Sequence, residues 1–348
     1  MTLCSSAFAQ SSVTLYGIVD GGIVYQSKTL GANGANGANG GKLLAFTDSG
    51  QVPSQFGFSG MEDLGGGLIS EFKLESGINV GNGGYNDSNG NFFGRQAYVG
   101  LKGRGGELKA GLQFSPFFIT LFALDPRGLS QFGSGLPVYL NHVAATGIFT
   151  PNSVSYTTPI FAGLQGSALI SLGGVAGSFA SGRQYSLSVN YAWQGLDIAA
   201  ALFDSNAGGT VQTVPPSTVE FEGRMIGASY SFGKLTAKAS FTSFKVAESG
   251  TNDNVYAGGV DCAVSPVVSV NAGVWHISNR NNSSGHSLMG SAGVTYSLSK
   301  ATAIYVQSGV VNNHGTSTFG LEVGDAPASL SAPKGTTFGA DIGVRHFF

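Results

Sequence analysis

The sequence predicts an all-β fold, a transmembrane antiparallel β-barrel of 16 strands, and three observations lead there. Charged residues make up only 10% of the 348 residues, against roughly 25% in an ordinary soluble domain. The best apolar run, residues 117–124, is far shorter than the ~20 residues a spanning helix needs. Hydrophobicity alternates with a period of two from one end of the chain to the other. Only helices and closed barrels cross a bilayer with every backbone group paired, so low charge without a candidate helix selects the barrel.

The chain opens on MTLCSSAFAQ, in which Ala7-Phe8-Ala9 before Gln10 has the form of a signal-peptidase site. The positive and most of the apolar part of an export signal are missing. Residues 1–9 are therefore expected to be the remnant of a secretory signal peptide, and residues 10–348 one barrel domain. The two cysteines, Cys4 and Cys262, give no disulfide framework. A net charge of −2 leaves no basic excess for nucleic acid.

Strands follow in order. In residues 68–75, Leu68, Phe72 and Leu74 oppose Glu71, Lys73 and Glu75. In 108–114, Leu108, Ala110, Leu112 and Phe114 oppose Lys109, Gly111 and Gln113. The same alternation runs through 185–193, through 235–242 (with Lys238 on the polar face) and through 288–298. It ends in a last strand where Phe338, Ala340, Ile342, Val344, His346 and Phe348 share one face, and Asp341 and Arg345 the other.

The connectors alternate in length. Short ones lie at 63–67, 103–106, 160–163, 194–195, 232–233, 265–266 and 299–300. Long ones lie at about 27–53, 80–91, 116–151, 173–182, 205–220, 247–254, 278–286 and 312–336. Short turns at one end and long loops at the other are a membrane-barrel pattern, and eight long loops imply sixteen strands. A barrel of that size encloses water rather than a packed core. A soluble β-sandwich also alternates, but it would carry more surface charge. The repeat GANGANGANG (31–40) falls in the first long loop and reads as a mobile tether.

Charges opposite apolar neighbours belong in the lumen, since an Arg or Lys at mid-bilayer on the lipid face costs ~2–4 kcal/mol. Asp20, Glu71, Lys73, Glu75, Arg95, Lys109, Lys238, Asp261, Asp341 and Arg345 all have this placement. They neutralise one another in the wall, set a field that selects ions, or do both. The longest connector, 116–151, is rich in Phe and Leu, and its only charges are Asp125 and Arg127. Such a loop is expected to fold into the barrel and narrow it, or to pack on a neighbouring subunit.

Nothing points to catalysis. The five histidines show no metal-ligand spacing, and Gly41-Lys42 lacks the rest of a phosphate loop. A barrel enzyme and a loop-based adhesin remain as alternatives to a channel. A plugged transporter is disfavoured, because no plug-sized segment precedes the first strand. No cofactor is expected.

Several segments resemble the general porins of Gram-negative outer membranes, of the β-proteobacterial type: SSVTLYGIVD (11–20), SQFGFSGMEDLGGGL (54–68), FKLESG (72–77), FFGRQAYVGLKG (92–103), NSVSYTTPIFAG (152–163) and GVRHFF (343–348). The resemblance implies a homotrimer with short periplasmic turns and an inward third loop. It also implies passive diffusion of ions and small hydrophilic solutes, and contact with outer-membrane lipid, lipopolysaccharide and the assembly machinery. Arg95 matches one arginine of the family's basic wall. Gln55 stands where another arginine is usual, Ser59 where a further basic residue is common, and Phe149, Thr150 and Pro151 replace the stretch that holds a third. Weak charge selectivity follows as an expectation. Phe348 matches the terminal aromatic read during assembly.

Overall fold

A computed structural model describes residues 12–31, 39–142, 148–209, 219–323 and 330–348. The segment expected to be a signal remnant, and residues 32–38 of the glycine–asparagine repeat, lie outside the described residues. The described chain forms seventeen strand segments in one antiparallel sheet. The first half runs β1 Ser12–Leu30, β2 Asn39–Asp48, β3 Gln55–Gly65, β4 Leu68–Gly77, β5 Gln96–Gly103, β6 Gly106–Phe114, β7 Phe149–Thr157 and β8 Leu164–Ser171. The second half runs β9 Gln184–Trp193, β10 Leu196–Ser205, β11 Phe221–Phe232, β12 Leu235–Val246, β13 Thr251–Ala263, β14 Val268–Asn279, β15 His286–Ser297, β16 Thr302–His314 and β17 Gly335–Phe347. Two short helices, α1 Pro116–Leu124 and α2 Gly135–His142, sit between β6 and β7.

The sheet closes on itself. β1 pairs with β17 from Ile18↔Phe347 to Gln26↔Gly339, and Gly17 exchanges both backbone hydrogen bonds with Phe348 at 3.0 Å. On its other edge β1 pairs first with β3, Ser12↔Met61 to Ile18↔Gln55, and then with β2, Gly21↔Asp48 to Leu30↔Asn39. β2 and β3 are thus two pieces of one barrel strand, so seventeen segments fill sixteen positions. The long connector expected at 27–53 is corrected here: residues 27–30 and 39–48 are strand, and among the described residues the chain leaves the ladder only at 31 and at 49–54. The connector expected at 247–254 shrinks likewise to 247–250, and Phe149–Pro151 belong to β7 rather than to the third loop.

The outer surface is a continuous apolar belt in which Val99, Leu187, Ile226, Val306 and Ile342 are all exposed. Trp193, Tyr230, Phe232 and Tyr296 stand beside the short turns, as interfacial aromatic girdles do. Those turns follow from local chemistry. Gln194 and Gly195 both have positive φ (46° and 86°), the conformation of a two-residue type I′ hairpin whose twist matches its strands.

The break at 49–54 bends into the lumen, and Asp20 organises it. The Asp20 carboxylate accepts from the Gln51 N–H (3.1 Å), the Val52 N–H (2.8 Å) and the Tyr305 hydroxyl (2.6 Å). Ser54 Oγ accepts from the Asp20 N–H, and the Ser49 N–H donates to the Asp20 carbonyl. The backbone groups that leave the ladder therefore find new partners, as buried peptide groups must. The bulge reaches across to β15, β16 and β17: Gln51 Nε2 donates to Thr295, Gln307 Nε2 to the Gly50 carbonyl, and Arg345 to Gln51 Oε1.

The third loop, where it is described, lies inside the barrel. Ser115 caps α1 by accepting from the Phe118 N–H at 3.1 Å, and α1 packs against β8–β12. Phe117 enters an aromatic cluster with Tyr139, Phe203 and Phe244, at centroid distances of 6.2–6.5 Å. A Cβ on Gly223 would come within 2.8 Å of the Phe117 ring, so the wall needs glycine there. Asp125 accepts from the N–H groups of Arg127, Leu129 and Gly135 at 2.8–3.0 Å. Burial pushes its carboxyl up, against these bonds.

Arg127 fixes the loop to the far wall. Its guanidinium donates to Asn271 Oδ1 on β14, to Ser291 Oγ on β15, to Gln307 Oε1 on β16, and to the carbonyls of Phe132 and Gly133. Burial lowers it to about 10, so it stays charged at neutral pH. At the other end His142 lies between the Val138 carbonyl and the Asp253 carboxylate, 2.6 and 2.9 Å away. Both ring nitrogens thus have a partner that ties α2 to β13. The eighth loop follows inward, with the Gly133 N–H donating to Leu321 and the Val323 N–H to Gln131.

Two outcomes are expected. A Cβ at Gly17 would lie 2.2 Å from the Phe348 ring, so Gly17→Leu displaces that ring from the closing seam at a cost of about 1–3 kcal/mol. Heat-shift electrophoresis should show a lower melting temperature of the folded band, and an unchanged one would contradict this role. Arg127→Ala leaves buried acceptors unpaired and weakens docking of the third loop by about 3 kcal/mol or more. Single-channel recordings should then show larger, noisier conductance while the barrel still folds, and a quiet, unchanged conductance would contradict it.

Candidate functional site

With the third loop seated against β8–β16, the space left across the lumen is bounded by β1, β3, β5 and β6. A cavity of about 430 Å³ separates α1 from that wall. Arg95, Gln55 and Ile18 line its wall side, and Ile119 and Phe122 its loop side.

The wall is built around Glu75, whose carboxylate collects most of the nearby donors. Arg95 Nε meets Oε1 at 3.0 Å, Lys73 Nζ meets Oε2 at 3.2 Å, the Tyr16 hydroxyl donates at 2.8 Å, and Gln96 Nε2 donates at 3.1 Å. Gln55 Nε2 donates to it at 3.4 Å. The pairing follows from register: Gly57, Glu75 and Gln96 are direct cross-strand partners on β3, β4 and β5, and Tyr16 faces Gly57. Glycine at position 57 lets the Tyr16 ring lie over the strand to reach Glu75. Arg95 also stacks over the Phe149 ring at 5.2 Å and is buried. A second set lies nearer the short turns, where Lys109 meets Glu107 at 2.9 Å and Glu71 at 3.6 Å, over the Tyr98 ring.

The other residues singled out from sequence are placed as follows. Ser59 is half-buried on β3, beside Lys73 in the register. Lys238 donates to the Asp125 carbonyl at 3.0 Å, and so meets the loop rather than the cavity. Asp20, Arg345 and Asp341 belong to the 49–54 bulge, with Gln307 Nε2 donating to Asp341 at 2.9 Å. Asp125 and Arg127 are both buried in the loop's own anchorage.

Sequence reasoning missed Tyr16 and Gln96 as partners of Glu75. Tyr16 shares the parity of Asp20 on β1, so its inward direction could have been read, but its partner could not. It also missed Asn271, Ser291 and Gln307, neutral residues that no charge pattern marks. Among the described residues no group of His, Cys, Asp and Glu could hold a metal ion.

The chain and its fold have counterparts among known proteins. A family model described as Gram-negative porin matches residues 1–316. Outer membrane porin protein 32 of Delftia acidovorans is 30% identical over 356 residues, covering 99% of this chain and 96% of that protein. An outer membrane porin protein of Bordetella pertussis is 37% identical over 166 residues, 46% of this chain and 42% of that protein. Among solved structures, an anion-selective porin from Comamonas acidovorans aligns with a TM-score of 0.81 at 27% identity, covering 97% of this chain and 100% of that one. The chain belongs to the Gram-negative porin family and is a non-enzymatic channel of the outer membrane, through which ions and small hydrophilic solutes diffuse passively.

Proposed function

We propose that the channel is weakly charge-selective, with its constriction between the third loop and the wall of β1, β3, β5 and β6. The carrying observation is the pairing of Glu75 with both Lys73 and Arg95. Four further luminal cations each have a carboxylate in their field: Lys109 has Glu107 and Glu71, Arg127 has Asp125 and Asp341, Lys238 has Asp125, Asp197 and Asp261, and Arg345 has Asp20. Paired charges give a short-range field that falls off quickly into an aqueous passage. Gln55 and Ser59 add dipoles where charges would strengthen the field. The solved Comamonas relative is described as anion-selective, and this chain is proposed to be less so.

Three copies are proposed to assemble as a homotrimer surrounded by outer-membrane lipid and lipopolysaccharide. Phe348 is proposed to serve the assembly machinery as well as the seam with Gly17. Residues 1–9 are proposed to be left from an export signal.

In a KCl gradient the reversal potential is expected to lie near zero. Glu75→Gln keeps the side chain's size but removes the countercharge of Lys73 and Arg95, so it should move the potential toward anion preference. A strong anion preference of the unaltered protein would sink the proposal. Bilayer recordings are expected to show conductance steps in threes, and deletion of Phe348 should lower the yield of assembled trimer. Single steps only, or an undiminished yield, would count against those assignments.

A further inference from the structure

The loop side of the passage is apolar where a route for water-soluble solutes would be expected to be polar. α1 reads PFFITLFAL, with no polar residue except Thr120. A helix apolar all round is normally buried all round. Here one face, Phe117, Leu121 and Leu124, enters the aromatic cluster, while Ile119 and Phe122 on the other are 55% and 54% exposed. Both border the 430 Å³ cavity, joined by Phe118 from the same helix, and by Val52 and Pro53 from the 49–54 bulge. The polar side chains on the cavity are few: Arg95 and Gln55 lie beside Glu75 at its wall side, and Gln131, itself buried, comes from the third loop. Glu75 is shared by two cations, so this point carries one positive charge in excess.

We infer that the passage takes small amphiphilic carboxylates, solutes with one carboxylate on a compact ring or branched hydrocarbon body, in preference to fully hydrophilic anions. The carboxylate end meets the wall side at Arg95 and Gln55, and the hydrocarbon end covers Ile119 and Phe122. The charge and the apolar surface face each other across one cavity, which matches a solute with the same two ends. The contact is shallow and open to water, so a solute that enters can leave, as conduction requires. A sugar acid presents hydroxyls to the same apolar face and gains nothing there. This inference rests on the channel reading and deepens it.

The test uses the full-length protein in planar bilayers. KCl is measured first, and then the permeability of benzoate is compared with that of gluconate under bi-ionic conditions. Benzoate should exceed gluconate by roughly tenfold beyond the ratio of their mobilities in water, the low end of what one methylene gives in an apolar pocket. In the double variant Ile119→Ser, Phe122→Ser the excess should vanish while KCl conductance is retained or raised, since shortening two exposed side chains widens the passage and removes nothing the barrel rests on. Cyclohexanecarboxylate should behave as benzoate does, because the apolar body matters and not its aromaticity. Benzoate and gluconate crossing in proportion to their mobilities, or an excess that survives the double variant, would overturn the inference and leave the channel intact. Folded barrel without any KCl conductance would remove the channel reading itself.

Discussion

Closure of the hydrogen-bond ladder between β1 and β17 is the constraint on which the rest depends. In hydrocarbon an unpaired strand edge has no water to turn to, so the first and last strands must find each other across the whole chain. They do so over Ile18–Gln26 and Phe347–Gly339, extended by the Gly17–Phe348 exchange. Once the ring is closed, side-chain parity is fixed for every strand. Val99 and Ile342 must face lipid, and Glu75 and Lys109 must face the lumen. β1 carries a further burden, because its second edge serves two segments. The interruption at 49–54 is tolerated only because Asp20, Ser49 and Ser54 supply the bonds that the ladder gives up.

The lumen is divided by the same logic. On β10–β14 the inward positions do not read as polar: Phe203, Phe221, Phe244, Met225 and Trp275 are buried there. Those strands are apolar on both faces over part of their length, as strands covered on both sides are. What covers them is the third loop. Burial of the Phe117 face draws α1 to this wall, and the Arg127 guanidinium holds the following turn to β14, β15 and β16. Water is left with the opposite side. The passage therefore lies against β1 and β3–β6 because the hydrophobic seat for the loop lies elsewhere.

The strands and short turns were legible because their signals are local: a period of two, and turn residues such as Gln194-Gly195. The total of sixteen was legible for the same reason. The second strand was not legible at 39–48, because a glycine–asparagine repeat precedes it and an inward bulge follows it, so KLLAF reads as part of a loop. The inward direction of Glu71, Lys73, Glu75 and Lys109 followed from parity alone. Their pairings needed register, which a single strand does not contain. Arg127 shows the limit most clearly. Two charges in an apolar loop look like pore residues, yet the acceptors of Arg127 lie as far as 180 positions away, on strands whose neutral Asn271, Ser291 and Gln307 give no sign of waiting for a guanidinium.

Paired charges and an apolar loop face are physically connected in this channel. A wall of uncompensated cations across a narrow passage would hold water and anions tightly and would make an exposed Ile and Phe irrelevant to what passes. Pairing Glu75 with Lys73 and Arg95 shortens the reach of the field, so contact with the opposite face gains weight in deciding which solutes enter. The neutral side chains of Gln55 and Ser59 act in the same direction. Gln55 hydrogen-bonds Glu75 instead of opposing the loop with a charge. Under the proposed weak selectivity, selection shifts from long-range electrostatics toward short-range fit, while the single excess charge beside Arg95 keeps a preferred sign. The paired charges of the wall and the apolar face of α1 thus act on the same solute from opposite sides of one cavity.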